Sequence, residues 1–143
     1  MNAPTRITRT RAKGWRKSEG AVIVTRGTIW GNPWGIGTPG LLHTKIDGAR
    51  VTYKTIMAIS PEYAVWLFSD WLRTGKTISG GMPYPNNFTD AGKMAVKDHL
   101  AGRRKMILAN LDKLRGHDLC CWCRPGEACH ADVLLRMANG GVA

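Results

Sequence analysis

The sequence predicts one small α/β domain in which helices flank a short, mostly parallel sheet. Two buried-strand patterns, at 21–25 and 118–123, are separated by amphipathic helical patterns. The length of 143 residues fits a single domain with its own core. Strands that alternate with helices usually form parallel sheets. We therefore expect a basic N-terminal arm at 1–19 and one α/β domain at 20–143.

The arm is strongly basic. It carries six Lys or Arg residues and one Glu, in a chain with a net charge of +11. This balance favours polyanionic partners. The arm is either a disordered, solubilising tail or a segment that neutralises phosphates, and a tryptophan among arginines favours the second. The candidate nucleic-acid-binding residues are Arg6, Arg9, Arg11, Lys13, Trp15 and Arg16.

The apolar run 21–25 is the first strand that the sequence predicts. The glycines and prolines of 26–40 exclude a long regular element, so this segment is an irregular loop. Trp30 and Trp34 lie in it, and we expect at least one of them to pack into the core. Residues 50–55 alternate weakly and predict an edge strand.

Helix signals dominate the centre of the chain. Ser60 as N-cap and Pro61 at the first helical position predict a helix that ends at Gly75. Residues 75–92 are polar and rich in glycine and proline, which indicates a surface loop. Two further helices are expected, at 93–101 and at about 103–115. The predicted core stripe of the first helix is Ala64, Leu67, Phe68, Trp71 and Leu72.

A strand at 118–123, a turn at 124–126 and a closing helix at 129–139 end the chain. Alternation along the strand places Cys121 and Cys123 on one face, opposite Cys120 and Trp122. Cys129, His130 and Asp132 lie in the first turn of the helix, where free N–H groups favour negative charge.

The cysteines admit three interpretations. Three thiols and an imidazole can bind zinc, but the C-x-C spacing is unusual, and adjacent Cys129 and His130 would diverge if both were helical. Cys129 can be a nucleophile assisted by His130. Buried small hydrophobic residues are the third interpretation, which the spacing favours. The sequence is thus compatible with zinc but assures no cofactor. Because the spacing favours buried thiols, we expect the purified protein to lack stoichiometric zinc.

Three segments resemble a bacterial and bacteriophage family called domain of unknown function 4326. They are RITRTRAKGWR (6–16), VTRGTIWGNPW (24–34) and CWCRPGEACHADVLLRMAN (121–139). Residues 40–60 and 75–100 depart from the compact pattern of that family. The resemblance implies a site built from the W-G-N-P loop and the C-W-C and C-H-A-D terminus, but no reaction. A clustered set of cysteines and the lack of an apolar span or secretory segment favour the cytoplasm of a bacterium or an infected host.

If the two strands are parallel neighbours, both motif loops leave the same edge of the sheet, where α/β ligands bind. Arg26 then offers a phosphate contact, Trp30 a stacking face and Asn32 a base-edge partner. Each residue also has a structural alternative: Arg26 can form a surface ion pair, Trp30 can pack in the core, and Asn32 can be a turn residue before Pro33. The predicted ligand-binding residues are Arg26, Trp30, Asn32, Cys121 and Cys123, and the candidate catalytic residues are Cys129, His130 and Asp132.

These residues predict a domain that binds a nucleotide or nucleobase, with nucleotide or DNA modification as the reaction class if it is an enzyme. A pocket with Cys, His and Asp at one helix start favours this function. The alternative is a non-catalytic, basic nucleic-acid-binding protein whose cysteines are structural or bind zinc. The expected partner is a nucleotide or nucleic acid and not a membrane. The sequence predicts no oligomeric state.

Overall fold

A computed structural model describes residues 3–35, 40–47, 50–56, 59–75 and 89–141, with the backbone alone at 40–47 and 50–56. Most of the predicted loop at 75–92 and the end of the loop at 26–40 lie outside the described residues. In chain order the elements are β1 (Arg6–Thr8), β2 (Val22–Ile23), β3 (Gly40–Asp47), β4 (Arg50–Ile56), α1 (Pro61–Thr74), α2 (Asp90–Asn110), a 3-10 turn (Leu111–Leu114), β5 (Leu119–Cys121) and α3 (His130–Ala138).

The central sheet is parallel, as the sequence predicts. Its strand order is β1-β5-β2, and both neighbours of β5 run parallel to it. β5 is fully buried, whereas the two outer strands are partly exposed. The chain is therefore an α/β domain whose sheet is organised around the cysteine-bearing strand.

β1 lies inside the predicted arm, so the expectation that ordered structure begins at residue 21 was wrong. Arg6 and Thr8 pair with Leu119 and Cys121, and Arg9 N–H donates to the Cys121 carbonyl at 2.7 Å. The segment RIT carries one apolar residue, too few to show a strand pattern. Its strand conformation comes from pairing with buried β5. The boundary at residue 19 itself stays a prediction.

α1 confirms the predicted helix start and end. Ser60 Oγ accepts a hydrogen bond from Tyr63 N–H at 3.1 Å, and Gly75 closes the helix at φ 74° with its N–H on the Trp71 carbonyl. The predicted core stripe is buried, which shows that local signals and the 3.6-residue period agree here.

α2 is one continuous helix, where the sequence analysis expected two. It passes through Gly102 and continues into the 3-10 turn, before the positive φ of Gly116 ends the run. Leu100 and Ile107 are buried on either side of Gly102, and their burial outweighs the cost of one helical glycine, about 1 kcal/mol. Arg104 also donates to the carbonyls of Trp71 and Leu72, which joins α2 to the end of α1.

The core lies between the sheet and the helices. Val24 and Leu119 from the sheet region meet Phe68 and Trp71 of α1 and Leu134 of α3, all essentially without solvent exposure. The predicted strand at 50–55 is β4, which pairs antiparallel with β3 in a separate hairpin. Within the described part of the chain, no helix is long and apolar enough to cross a bilayer.

Gly102→Ala is expected to raise the free energy of unfolding by about 0.5–1 kcal/mol, because alanine restricts the unfolded chain and favours the helix. A Cβ at this position meets no atom within 4 Å. The urea midpoint measures the change. Gly75→Ala is the control: its φ of 74° disfavours alanine, so stability should fall. A lower midpoint for Gly102→Ala would contradict the continuous helix.

Candidate functional site

The loops after β2 and β5 meet in one cleft, as expected for parallel neighbours at the carboxyl edge. The cleft has a volume of about 110 Å³ and is open to solvent. Helix α1 supplies its third wall. The lining residues are Arg26, Asn32, Trp34, Ala64, Val65, Cys123, Ala128, Cys129 and His130. Besides Asn32, four residues that the sequence predicted as ligand-binding or catalytic line this cleft: Arg26, Cys123, Cys129 and His130.

The W-G-N-P loop is held in a tight shape. The Thr25 carbonyl accepts hydrogen bonds from both N–H and Oγ1 of Thr28. Gly31 lies so close to Arg26 that a Cβ would stand 2.9 Å from the Arg26 Cα, which explains why this position is glycine. Arg103 of α2 donates to the Gly31 carbonyl from the other side. The loop is thus a shaped wall of the cleft.

Asn32 braces this loop. Its Nδ2 donates to the Ala64 carbonyl of α1 at 2.9 Å, and its Oδ1 accepts from Trp34 N–H at 3.0 Å. Both polar ends of the amide are engaged. This favours a role in shaping the cleft over the predicted role of reading a base edge.

Trp34, and not Trp30, lines the cleft. Both rings are buried, and Trp30 belongs to the core. Trp34 packs edge-on against Trp71 with ring centroids 5.6 Å apart. The sequence offers no signal that separates the two tryptophans, because both follow glycine-rich turns and the choice depends on how the loop folds onto α1.

His130 is fixed in orientation by two neighbours. Its Nε2 lies 2.7 Å from the Val24 carbonyl, and Phe68 packs perpendicular to the ring at 5.5 Å. A carbonyl only accepts, so Nε2 carries a proton. In the neutral ring the lone pair is then on Nδ1, which lies 3.8 Å from Cys129 Sγ.

The sulfurs of Cys121, Cys123 and Cys129 lie within 4.8 Å of one another. Cys121 and Cys123 face the same side, as the predicted alternation requires. Cys129 is the N-cap of α3, with extended backbone at φ −147° and ψ 140°. Cys129 was predicted to lie in the first turn of the helix, but it precedes the helix as the N-cap, so the predicted divergence of two helical side chains does not apply to Cys129 and His130. These three thiols can hold a metal ion.

Negative charge in this cluster concentrates on Cys129. Hydrogen bonds from the Cys121 and Cys123 thiols lower the pKa of Cys129, and the Ala131 N–H adds to the effect. The hydrogen bond with Cys123 lowers the pKa of Cys121, but its bond to Cys129 and burial outweigh this and raise it to about 11. Hydrogen bonds to Cys121 and Cys129 raise the pKa of Cys123. Of the three thiols, Cys129 is therefore the one whose thiolate form its neighbours favour most.

Arg6 lies beneath the cluster and not on an exposed arm. Its guanidinium donates to the carbonyls of Glu127 at 2.7 Å and Arg124 at 3.2 Å and pairs with Asp132 at 3.1 Å. Burial lowers the pKa of Arg6, but the charges of Asp132 and Cys129 and a hydrogen bond to Cys129 raise it overall. Arg6 thus ties β1 to the loop before α3. Asp132, a predicted catalytic residue, therefore pairs with Arg6 and does not line the cleft.

The rest of the arm lies partly against the body of the domain. Arg9 stacks over the Trp122 ring at 4.4 Å, and Arg11 lies 5.4 Å from the same ring. Trp122 remains about half exposed, and Trp15 is half-buried. Lys13 and Arg16 are exposed. The predicted nucleic-acid-binding residues therefore divide into one internal arginine, Arg6, two arginines beside Trp122, Arg9 and Arg11, and the remaining residues of the arm, Lys13, Trp15 and Arg16.

Arg26 lines the cleft, and Arg103 of α2, which donates to the Gly31 carbonyl, lies close enough to Arg26 for their positive charges to interact. Burial, and then the charge of Arg26, lower the pKa of Arg103, so the two guanidinium groups repel each other. The ion pairs of the described residues are Arg6 with Asp132 and Arg73 with Asp70, and neither involves this pair. Arg103 is not among the predicted site residues, because nothing in the sequence of α2 distinguishes it from the neighbouring basic residues. Its contact with the W-G-N-P loop depends on how α2 packs.

The comparison with protein families decides the relationship of this chain. The model of the family described as Domain of unknown function (DUF4326) matches residues 7–140. The chain belongs to this family. The DUF4326 match begins within β1 and includes the W-G-N-P loop and the cysteine-rich terminus. No curated protein and no solved structure matches the chain.

Arg6→Lys is expected to lower the free energy of unfolding of this DUF4326 domain by about 1.5–3 kcal/mol, because an ammonium cannot reproduce the planar contacts with three partners. Chemical denaturation measures the loss. Arg11→Lys is the matched control, since Arg11 is exposed and its change should stay within about 0.5 kcal/mol. Equal effects of the two substitutions would show that Arg6 has no special structural role.

Proposed function

We propose that this DUF4326 domain binds a small phosphate-bearing molecule in the cleft, with nucleotides as the ligand class. The observation that carries the proposal is the juxtaposition of Arg26 and Arg103 without an acidic partner among the described residues. An anion between them would replace mutual repulsion by two attractive contacts. Arginine is well suited to this role because its fork matches phosphate geometry.

The walls of the cleft suit the base or sugar of such a ligand. Trp34, Ala64 and Val65 supply apolar surface on one side, and Cys123 and Ala128 supply it on the other. Ligand sites typically combine apolar walls with a few polar groups that fix orientation. Here the polar group that fixes orientation is Arg26 at the exposed end, which favours a ligand with one charged and one flat portion.

The proposal extends to an enzyme of nucleotide or DNA modification through Cys129 and His130, which line the same cleft. Both groups would lie next to a bound ligand. Asp132 has no part in this extension because it pairs with Arg6. The cysteines are free in the structure, which fits a reducing cytoplasm. Zinc is the cofactor that three thiols favour.

Arg26→Gln is expected to weaken nucleotide binding by about 1.5–3 kcal/mol, the range for a hydrogen bond to a charged group, with little change in the stability of the free protein. Thermal shift against a panel of nucleoside mono- and triphosphates, bases and inorganic phosphate measures binding, because a ligand of the native state raises the melting temperature. Chromatography of the incubated nucleotide shows whether a product forms.

Arg136→Gln is the matched control, since this exposed arginine on the last turn of α3 does not line the cleft. It should bind nucleotide like the unmodified protein. If no member of the panel shifts the melting temperature, or if both variants weaken binding equally, the cleft is not the nucleotide site.

The second candidate function, binding of nucleic acid, is favoured by the surface around Trp122. An exposed indole flanked by Arg9 and Arg11 provides a stacking face and positive charge together. Proteins that bind single strands without sequence preference use this combination. The rest of the arm adds exposed basic residues next to it.

Replacing Arg11, Lys13 and Arg16 together by Gln should flatten the slope of log affinity against log salt for a mixed-sequence single-stranded oligonucleotide, since fewer counterions are released. Substitution is preferable to deletion because residues 1–19 include β1. The control changes three exposed lysines elsewhere, Lys97, Lys105 and Lys113, to Gln. Equal slopes for both variants would show that the arm makes no specific contribution.

A further inference from the structure

We propose that Cys121, Cys123, Cys129 and His130 bind one zinc ion, at a site that adjoins the cleft but does not depend on its ligand. Three segments supply the donors: the end of β5, the residue after Trp122, and the start of α3. Three thiolates and one imidazole form a recognised tetrahedral set for zinc.

The sulfur positions fit a single ion. Tetrahedral zinc with Zn–S bonds of about 2.3 Å places its sulfurs about 3.8 Å apart. The three sulfurs already lie within 4.8 Å of one another, so a small contraction completes the arrangement. In a [4Fe–4S] cluster each thiolate binds a different iron, which spreads the sulfurs further apart. The observed packing therefore favours one soft cation over a cluster.

The orientation of His130 fits the fourth position. Its Nε2 proton is donated to the Val24 carbonyl at 2.7 Å, and this leaves the Nδ1 lone pair beside Cys129 Sγ at 3.8 Å. Histidines that bind metals usually donate their other ring N–H to a carbonyl or carboxylate, which fixes the ring. Phe68 holds the same ring from the side. The ring is thus oriented before any metal arrives.

Arg6 supplies the charge balance. Three thiolates and Zn²⁺ carry one net negative charge, which is costly among buried groups. The Arg6 guanidinium hydrogen-bonds to Cys129 and interacts with the charge of Cys121, and its side chain is only 11% exposed. The positive charge of Arg6 would offset the negative charge of a zinc–thiolate site at this position.

Elemental analysis of the full chain, purified under reducing conditions and loaded with zinc, tests the site. We expect one zinc per chain after gel filtration, and a charge-transfer absorption from thiolate to metal when cobalt replaces zinc. Cys123→Ala should lose the metal. Cys120→Ala is the matched control, because Cys120 lies on the opposite face of β5 and should leave one zinc per chain. His130→Ala should lower zinc affinity 10–100-fold.

Thiol labelling of the unmodified protein covers the case in which a variant fails to fold. Zinc should slow alkylation of Cys121, Cys123 and Cys129 at least tenfold relative to chelator-treated protein, and leave Cys120 unchanged. The proposal is overturned if zinc-loaded protein retains no metal, if zinc does not protect the three thiols selectively, or if Cys120→Ala loses zinc as Cys123→Ala does. Unchanged affinity in His130→Ala would remove His130 from the ligand set.

Discussion

The parallel pairing of β5 with strands on both sides is the constraint on which the other features depend. β5 takes hydrogen bonds from β1 at one edge and from β2 at the other, and its residues are all buried. A buried strand needs a partner for each backbone polar group. Residues 6–8 of the basic arm meet this requirement on one side of β5 by forming β1. β2 meets it on the other side, so the ends of β2 and β5 lie side by side and the two motif loops meet.

Arg6 and the cysteine cluster depend on each other. A buried guanidinium is costly unless it is paired and hydrogen-bonded, and a buried thiolate is costly unless donors surround it. Arg6 meets this requirement through Asp132, two carbonyls and Cys129, and Cys129 meets it through Arg6, the neighbouring thiols and the start of α3. Removing Cys129 would take one of these partners from Arg6, and removing Arg6 would take a positive charge from beside Cys129.

The cleft and the cysteine cluster share a wall. Cys123, Cys129 and His130 line the cleft while their polar atoms face the cluster. Occupation of the cluster would hold these side chains rigid and so preorganise one side of the cleft, which reduces the ordering cost of ligand binding. The cluster and the cleft are therefore coupled through three residues, whereas the surface around Trp122 lies on the opposite face of the strand.

Local signals determined α1, the shared face of Cys121 and Cys123, and the meeting of two loops at one edge, because caps, strand alternation and parallel topology act over a few residues or follow general rules. Only the tertiary structure decided that β1 joins the sheet, that α2 passes through Gly102, that Trp34 replaces Trp30 at the cleft, and that Arg6 lies beneath Cys129. Each of these depends on contacts between distant segments, whose burial outweighs weak local preferences and leaves no periodic trace in the chain.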